Sequence, residues 1–186
     1  MIDIGSRGIF LKGLVEYLYH NDRRLFEYIN KKIKCKVLDL FMPKITHLGG
    51  TTFTVLSCLF MYLFGQGETR LAATQAIVTV TSSQGIVQLF KNIINRKRPY
   101  LVLPEVNTFW SKLLKDHSFP SGHTTAGFSL AAVLAAHFPN YSLVSYSLAT
   151  MVGISRIYTG MHYPSDVLSG ALLGMLCAVL TGHFIN

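Results

Sequence analysis

Charge is what this sequence has least of. Only 14% of its 186 residues are Asp, Glu, Lys or Arg, against about a quarter in an ordinary soluble domain. Acid is the scarcer sign, with nine Asp and Glu against 17 Lys and Arg, giving a net charge of +8. Half of the residues are hydrophobic and the mean hydropathy is +0.37, which excludes a disordered chain. Long uncharged runs argue against a nucleic-acid binder despite the basic balance. The excess positive charge suits an anionic membrane surface or an anionic substrate. Cysteine is also sparse. Cys35, Cys58 and Cys177 are odd in number and far apart, so neither a disulfide framework nor a zinc spacing is present. Asp3, Arg7, Lys12 and Glu16 interrupt the first apolar stretch, so no cleavable leader is expected.

The gaps between charges carry the architecture. No charged residue occurs over 45–67, 71–90, 117–155 or 167–186. A helix needs about 20 residues to cross roughly 30 Å of hydrocarbon. Three gaps fit one span each. The third is about twice that length, with the turn signal Phe138-Pro139-Asn140 near its middle. The expectation is an all-α integral membrane bundle of about five transmembrane helices, near 45–66, 71–91, 120–137, 141–156 and 165–184. A chain this short cannot bury five helices that are apolar on all sides inside a soluble core.

Residues 1–44 read differently. Leu11, Leu14, Val15 and Leu18 keep helical spacing, Asn21-Asp22 signals a break and N-cap, and Leu25, Tyr28, Ile29 and Ile33 begin a second stripe. Lys31, Lys32, Lys34 and Lys36 oppose that stripe. This segment is expected to lie on the membrane as an amphipathic interfacial helix, with residues 45–186 as the transmembrane core.

An odd number of crossings places the connections 91–119 and 156–164 on one membrane face. They hold nearly all the polar chemistry. Lys91 and Arg98 are seven residues apart, two helical turns, and share a face if the second span continues through them. Taken alone, such a cluster also fits topology and headgroup charge. Pro120-Ser121-Gly122-His123 opens the third span, where Pro120 suits a first turn and free N–H groups favour an anion. Arg156, His162 and Asp166 flank the start of the fifth. A carboxylate there can accept a hydrogen bond from the imidazole and leave its other nitrogen free as nucleophile or base. Together the three pieces supply cations, neutral donors and two imidazoles, which are the parts of phosphoryl transfer. No aspartate cluster stands ready for magnesium, so basic side chains would neutralise the phosphate instead.

At these residues the sequence resembles the type 2 phosphatidic acid phosphatase superfamily, which also holds soluble acid phosphatases and vanadium haloperoxidases. Its signature Lys-x6-Arg-Pro, Pro-Ser-Gly-His, Ser-Arg-x5-His-x3-Asp is matched by Lys91 to Arg98-Pro99, Pro120 to His123, and Ser155-Arg156 through His162 to Asp166. The resemblance implies that His162 attacks phosphorus to form a phosphohistidine, that Asp166 orients it, and that His123 protonates the leaving oxygen. It implies that Lys91, Arg98, Ser121, Gly122 and Arg156 hold the phosphoryl oxygens, with no metal or other cofactor. The implied substrate is a lipid phosphate or diphosphate, an isoprenyl diphosphate such as undecaprenyl diphosphate foremost, with phosphatidylglycerophosphate or phosphatidic acid as alternatives. A vanadate-dependent peroxidase and a non-enzymatic anion-binding or transport protein are the competing classes.

Many membrane members of that family have six spans, and here the first is expected to be replaced by the surface helix. The expected location is the cell membrane, multi-pass. The positive-inside rule would put the site in the cytoplasm, whereas analogy with lipid-carrier recycling enzymes puts it on the outer face, the reading adopted here. Outside the signature, His47, His137 and His183 are expected to pack at span ends, and Trp110 with Phe109 and Tyr100 to anchor the long loop at the interface. Gly170 and Gly174, four apart, are expected to let helices pack closely.

Overall fold

The computed structural model describes residues 4–109 and 116–185, with side chains from residue 16 on. Among the described residues there are eight α-helices and no strand. Helix α1 (Ile4–Glu27) runs into a π-turn at Tyr28–Lys32. Next comes α2 (Lys36–Ile45), then a 3-10 turn at Thr46–Gly49 and α3 (Thr51–Phe64). The long α4 (Glu68–Ile94) leads to the short α5 (Pro99–Val102). Helices α6 (Gly122–His137), α7 (Ser142–Tyr158) and α8 (Pro164–Ile185) complete the chain. The expected turn at Phe138-Pro139-Asn140 is a 3-10 turn over Pro139–Tyr141 between α6 and α7. The expected break at Asn21-Asp22 does not occur, since α1 passes through both. Asp22 instead accepts hydrogen bonds from the Ser165 amide (2.8 Å) and hydroxyl (2.6 Å), capping the start of α8 rather than of its own helix.

Helix α6 sits at the centre, packed on α3, α4, α7 and α8. Small residues make this close approach possible. A Cβ added at Gly170 would lie 2.7 Å from the Ser121 carbonyl oxygen, and one at Gly174 would lie 2.5 Å from that of Thr125. The interior is unusually polar for a helical bundle. Thr79, Ser83, Thr124, Thr125 and Ser129 are fully buried, and they are satisfied locally or between helices. Ser83 and Ser129 hydroxyls meet at 3.1 Å, and the Gln75 amide donates to the Ala178 carbonyl at 2.9 Å. The outside carries the large apolar side chains, including Phe60, Leu172, Val179 and Phe184, all exposed. That distribution is the reverse of a water-soluble bundle. It suits helices that pack through small residues and face lipid.

Helix α8 is by itself long and apolar enough to cross a membrane, and α2 with its 3-10 turn passes the same test jointly with α3, across a 52° bend. Helices α6 and α7 have 16 and 17 residues, roughly 24–26 Å at 1.5 Å per residue, short of a full hydrocarbon thickness. Among the described residues, one helix, or two if the bent pair counts as one span, is thus long and apolar enough by itself to cross a membrane.

Candidate active site

Three connections meet at one end of the bundle around a cavity of about 200 Å³. Lys91, Arg98, Asp116, Gly122, His123, Arg156 and His162 all line it. Lys91 comes from the last turn of α4 and Arg156 from the last turn of α7. Arg98 arrives differently from the expectation of a shared helix face. Helix α4 stops at Ile94, Asn95 turns left-handed with φ 49°, and Arg98 is extended as the N-cap of α5. Asn tolerates that conformation, and a residue before proline is pushed out of the helical region. The loop therefore folds Arg98 back into the protein, where only 1% of it is exposed. Helix α6 starts at Gly122 with Ser121 as N-cap, so Pro120 precedes the cap rather than forming the first turn. Gly122 and His123 bring the N-terminus of α6, with its free N–H groups, to the cavity wall.

His162 lies in the α7–α8 turn and is fully buried. Its Nδ1 stands 2.8 Å from the Ser118 carbonyl oxygen, which can only accept, so Nδ1 carries the proton. Nε2 then has the lone pair and points to the cavity, where the Arg98 Nη1 donates to it at 3.1 Å. Asp166 was expected to take the imidazole hydrogen bond. Its Oδ2 instead lies 3.7 Å from Nδ1, because that oxygen already accepts from the Ser118 hydroxyl and from the Tyr163 amide at 2.8 Å. Burial pushes the His162 pKa down to about 3; Asp166 opposes this and the Arg98 and Arg156 charges reinforce it. The ring is therefore neutral, with its nucleophilic nitrogen unprotonated, throughout the physiological range.

Residues 72–186 match the PAP2 superfamily. The chain belongs to that superfamily. It is 33% identical over 130 residues to the bacitracin transport permease protein BcrC of Bacillus licheniformis, an alignment covering 68% of this chain and 62% of that one. It is 33% identical over 152 residues to the undecaprenyl-diphosphatase BcrC of Bacillus subtilis, covering 80% and 75%. The crystal structure of Aquifex aeolicus LpxE superposes with a TM-score of 0.77 at 28% identity, covering 86% of this chain and 93% of that one. The chain spans just over three fifths of the length of the first curated relatives it matches.

Two of the eight expected site residues stand behind the cavity wall rather than on it. Ser121 and Asp166 are completely buried. The Ser121 hydroxyl meets the Thr124 hydroxyl at 2.8 Å, and the Ser121 amide donates to the Asp166 carbonyl at 3.0 Å, which locks the start of α6 to the first turn of α8. Three further residues escaped sequence reasoning. Ser118 receives the His162 proton on its carbonyl. Arg96 donates to Asp166 Oδ1 at 2.6 Å; burial works against its charge, but Asp166 and Asp22 outweigh that and raise its pKa. Asp116 pairs with both Lys91 and Arg98, at 2.7 Å to the latter. Burial would raise the Asp116 pKa, yet the Lys91 hydrogen bond and the Arg98 charge prevail and hold it at about 2. The available signal for Asp116 was scarcity, since an acid amid so many bases rarely stands alone. His137, expected to pack at a span end, bonds Glu68 and Gln75 at 2.5 and 2.6 Å, at the end of α6 remote from the cavity. Phe109 stacks on Tyr158 at 5.8 Å between ring centres, while Trp110 lies outside the described residues.

Proposed function

We propose that this chain is an integral membrane lipid phosphatase. The observation that supports it most is the buried His162 Nε2, unprotonated and facing a cavity walled by Lys91, Arg98 and Arg156. In the proposed cycle the Nε2 lone pair attacks phosphorus as the bond to the leaving oxygen breaks. His123, which must enter this step as the imidazolium that an anionic phosphate favours, donates its proton to that oxygen. The ring becomes a cationic phosphohistidine, stabilised by the Asp166 carboxylate 3.7 Å from Nδ1. His123, now neutral, takes a proton from water, which attacks phosphorus and breaks the P–N bond, returning both imidazoles to their starting forms. The three cations and the N-terminus of α6 stabilise charge developing on the phosphoryl oxygens. Lys91, Arg98, Gly122 and Arg156 contact those oxygens directly. Ser121 contributes by fixing the helix start. No metal or cofactor is assigned.

The substrate of this reading is a lipid phosphate or diphosphate, foremost an isoprenyl diphosphate such as undecaprenyl diphosphate. The name of the Bacillus subtilis relative and the compact loops support it. Phosphatidylglycerophosphate and phosphatidic acid are the alternatives. The core 45–186 crosses the membrane five times, with the bilayer thinned locally at α6 and α7. Residues 1–44 lie along its surface, and the site opens to the outer face. The test is phosphate release from each lipid by detergent-purified protein, with His162→Ala as blank. Activity surviving in that variant rejects the mechanism. Alkaline-phosphatase fusion at the C-terminus checks the orientation, and high activity there overturns the outer-face assignment.

A further inference from the structure

The N-terminal helix is joined to the candidate dyad by a continuous chain of charge-assisted bonds. Asp22 Oδ2, on α1, accepts from the Arg96 Nη2 at 2.6 Å. The Arg96 Nη1 donates to Asp166 Oδ1 at 2.6 Å and to the Ser165 hydroxyl at 2.7 Å. Its guanidinium lies 4.1 Å over the Tyr163 ring. The Arg96 backbone carbonyl accepts from the Ser118 amide at 2.7 Å. Asp166 Oδ2 in turn receives the Ser118 hydroxyl, and the Ser118 carbonyl holds the His162 Nδ1–H. Arg96 therefore grips both groups that fix the imidazole, one with its side chain and one with its backbone. Asp22 fixes Arg96 from outside. The Asp22 and Asp166 side chains are 8% and 0% exposed, so water does not readily replace these partners.

We propose that Asp22 and Arg96 are positioning residues for His162, acting through Asp166 and Ser118, so that turnover requires α1 to be seated on the start of α8. This rests on the phosphatase reading above. An amphipathic helix that served only to attach the chain to lipid would have no need of a buried carboxylate on its protein-facing side. Phe26, four residues and about one turn further on, is fully buried and meets the Tyr163 ring at 5.6 Å, so packing presses the same face of α1 onto the turn that carries His162. Arg has long, freely rotating bonds. Without Asp22 its guanidinium has one anion to hold it rather than two, and Asp166 is left with a looser partner. A misplacement of about 1 Å at a reacting group can cost about a hundredfold in rate.

The experiment measures kcat, KM and thermal stability of the full chain in detergent for Asp22→Asn, Arg96→Gln, Arg96→Lys and the double variant D22N/R96Q. Arg23→Gln is the control, because Arg23, among the described residues, pairs with half-buried Glu27 on the same helix and leaves the chain of bonds untouched. Asp22→Asn keeps shape and removes charge. It is expected to lower kcat about tenfold with KM within about twofold, and Arg96→Gln about a hundredfold. Arg96→Lys recovers part of the loss. In the double variant the Asp22 change costs less than about threefold more, because its effect passes through Arg96. Wild-type kcat in either single variant, or losses that multiply in full in the double variant, overturns the proposal. So does a fall in stability with kcat unchanged. The His162→Ala blank separates the two readings. Activity there removes the phosphatase mechanism itself, whereas an inactive blank beside a fully active D22N removes only the role of Asp22 and Arg96.

Discussion

Asp116 pairs with Lys91 and Arg98, two of the cations that the proposed cycle assigns to the phosphoryl group, and replacing it gives the sharpest quantitative test of that proposal. Its carboxylate bridges Lys91 and Arg98, whose side chains are 10% and 1% exposed, while its own is 44% exposed. A phosphoryl group entering the cavity must share or displace these contacts. At close range and an effective dielectric near 20, each pair would be worth about 4 kcal/mol. Solvent at the half-exposed carboxylate screens most of that, and exposed ion pairs measure only about 0.2–1 kcal/mol. A net cost of about 1–2 kcal/mol for displacing Asp116 is the resulting figure, and about 1.4 kcal/mol is tenfold in affinity. Asp116→Asn should therefore lower the inhibition constant of inorganic phosphate or vanadate about tenfold. The carboxyl is held at about 2, so it is ionised at both pH 5 and pH 8, and the ratio of wild-type to variant constants should be the same at each. The variant should also gain more thermal stability from added phosphate than the wild type does, as the anion takes over both cations. An unchanged or weaker inhibition by phosphate would refute the reasoning, because Asp116 would then be organising the cations rather than competing for them.

Two other consequences can be measured on the same protein. His162 has an ordinary pKa of 6.5 and a folded value of about 3. Between those values the unfolded chain binds the extra proton, so stability rises with pH there and is lost on acidification, by up to about 1.4 kcal/mol per pH unit. Denaturant unfolding from pH 6.5 to 4 should show a steeper loss in wild type than in His162→Gln, and equal slopes would show that the imidazole is not buried neutral. At Gly174 an added side chain meets the Thr125 carbonyl and the Ser129 amide, both backbone. Gly174→Val should cost about 1–3 kcal/mol or more through overpacking, read as a lower melting temperature, and a melting temperature matching wild type would mean that α6 and α8 separate more easily than their packing implies.

The bundle was legible because charge exclusion is a one-dimensional signal. Three of the four uncharged runs became one helix or a hairpin, with α4, α6, α7 and α8 ending within a few residues of the expected limits, whereas 45–67 became a 3-10 turn followed by the shorter α3. The gathering of Lys91, Arg98, His123, Arg156 and His162 was legible for a different reason, namely that the motif spacings place those side chains at the ends of successive helices. What escaped was the layer behind them. Arg96 differs from its neighbours Lys97 and Arg98 in nothing that a sequence displays. It is the left-handed turn at Asn95 that sends Arg98 toward the cavity and Arg96 toward Asp166 and Asp22. Asp22 was read as a helix break because Asn-Asp is a common capping pair. A carboxylate can cap any helix whose first amides it reaches, and the amide it reaches here, Ser165 in the first turn of α8, is 143 residues away. Nothing in local spacing encodes that contact. It follows from tertiary packing of α1 against α8, where a short polar side chain must find a partner or leave an unpaired charge near an apolar core. The same demand explains why the missed residues are all acids or their immediate partners. In a chain with nine acidic residues and 17 basic ones, each buried cation must be shared or matched. The few carboxylates near the site are accordingly drawn to it, Asp116 from the cavity side, Asp166 from behind, and Asp22 from the helix that packs on the start of α8.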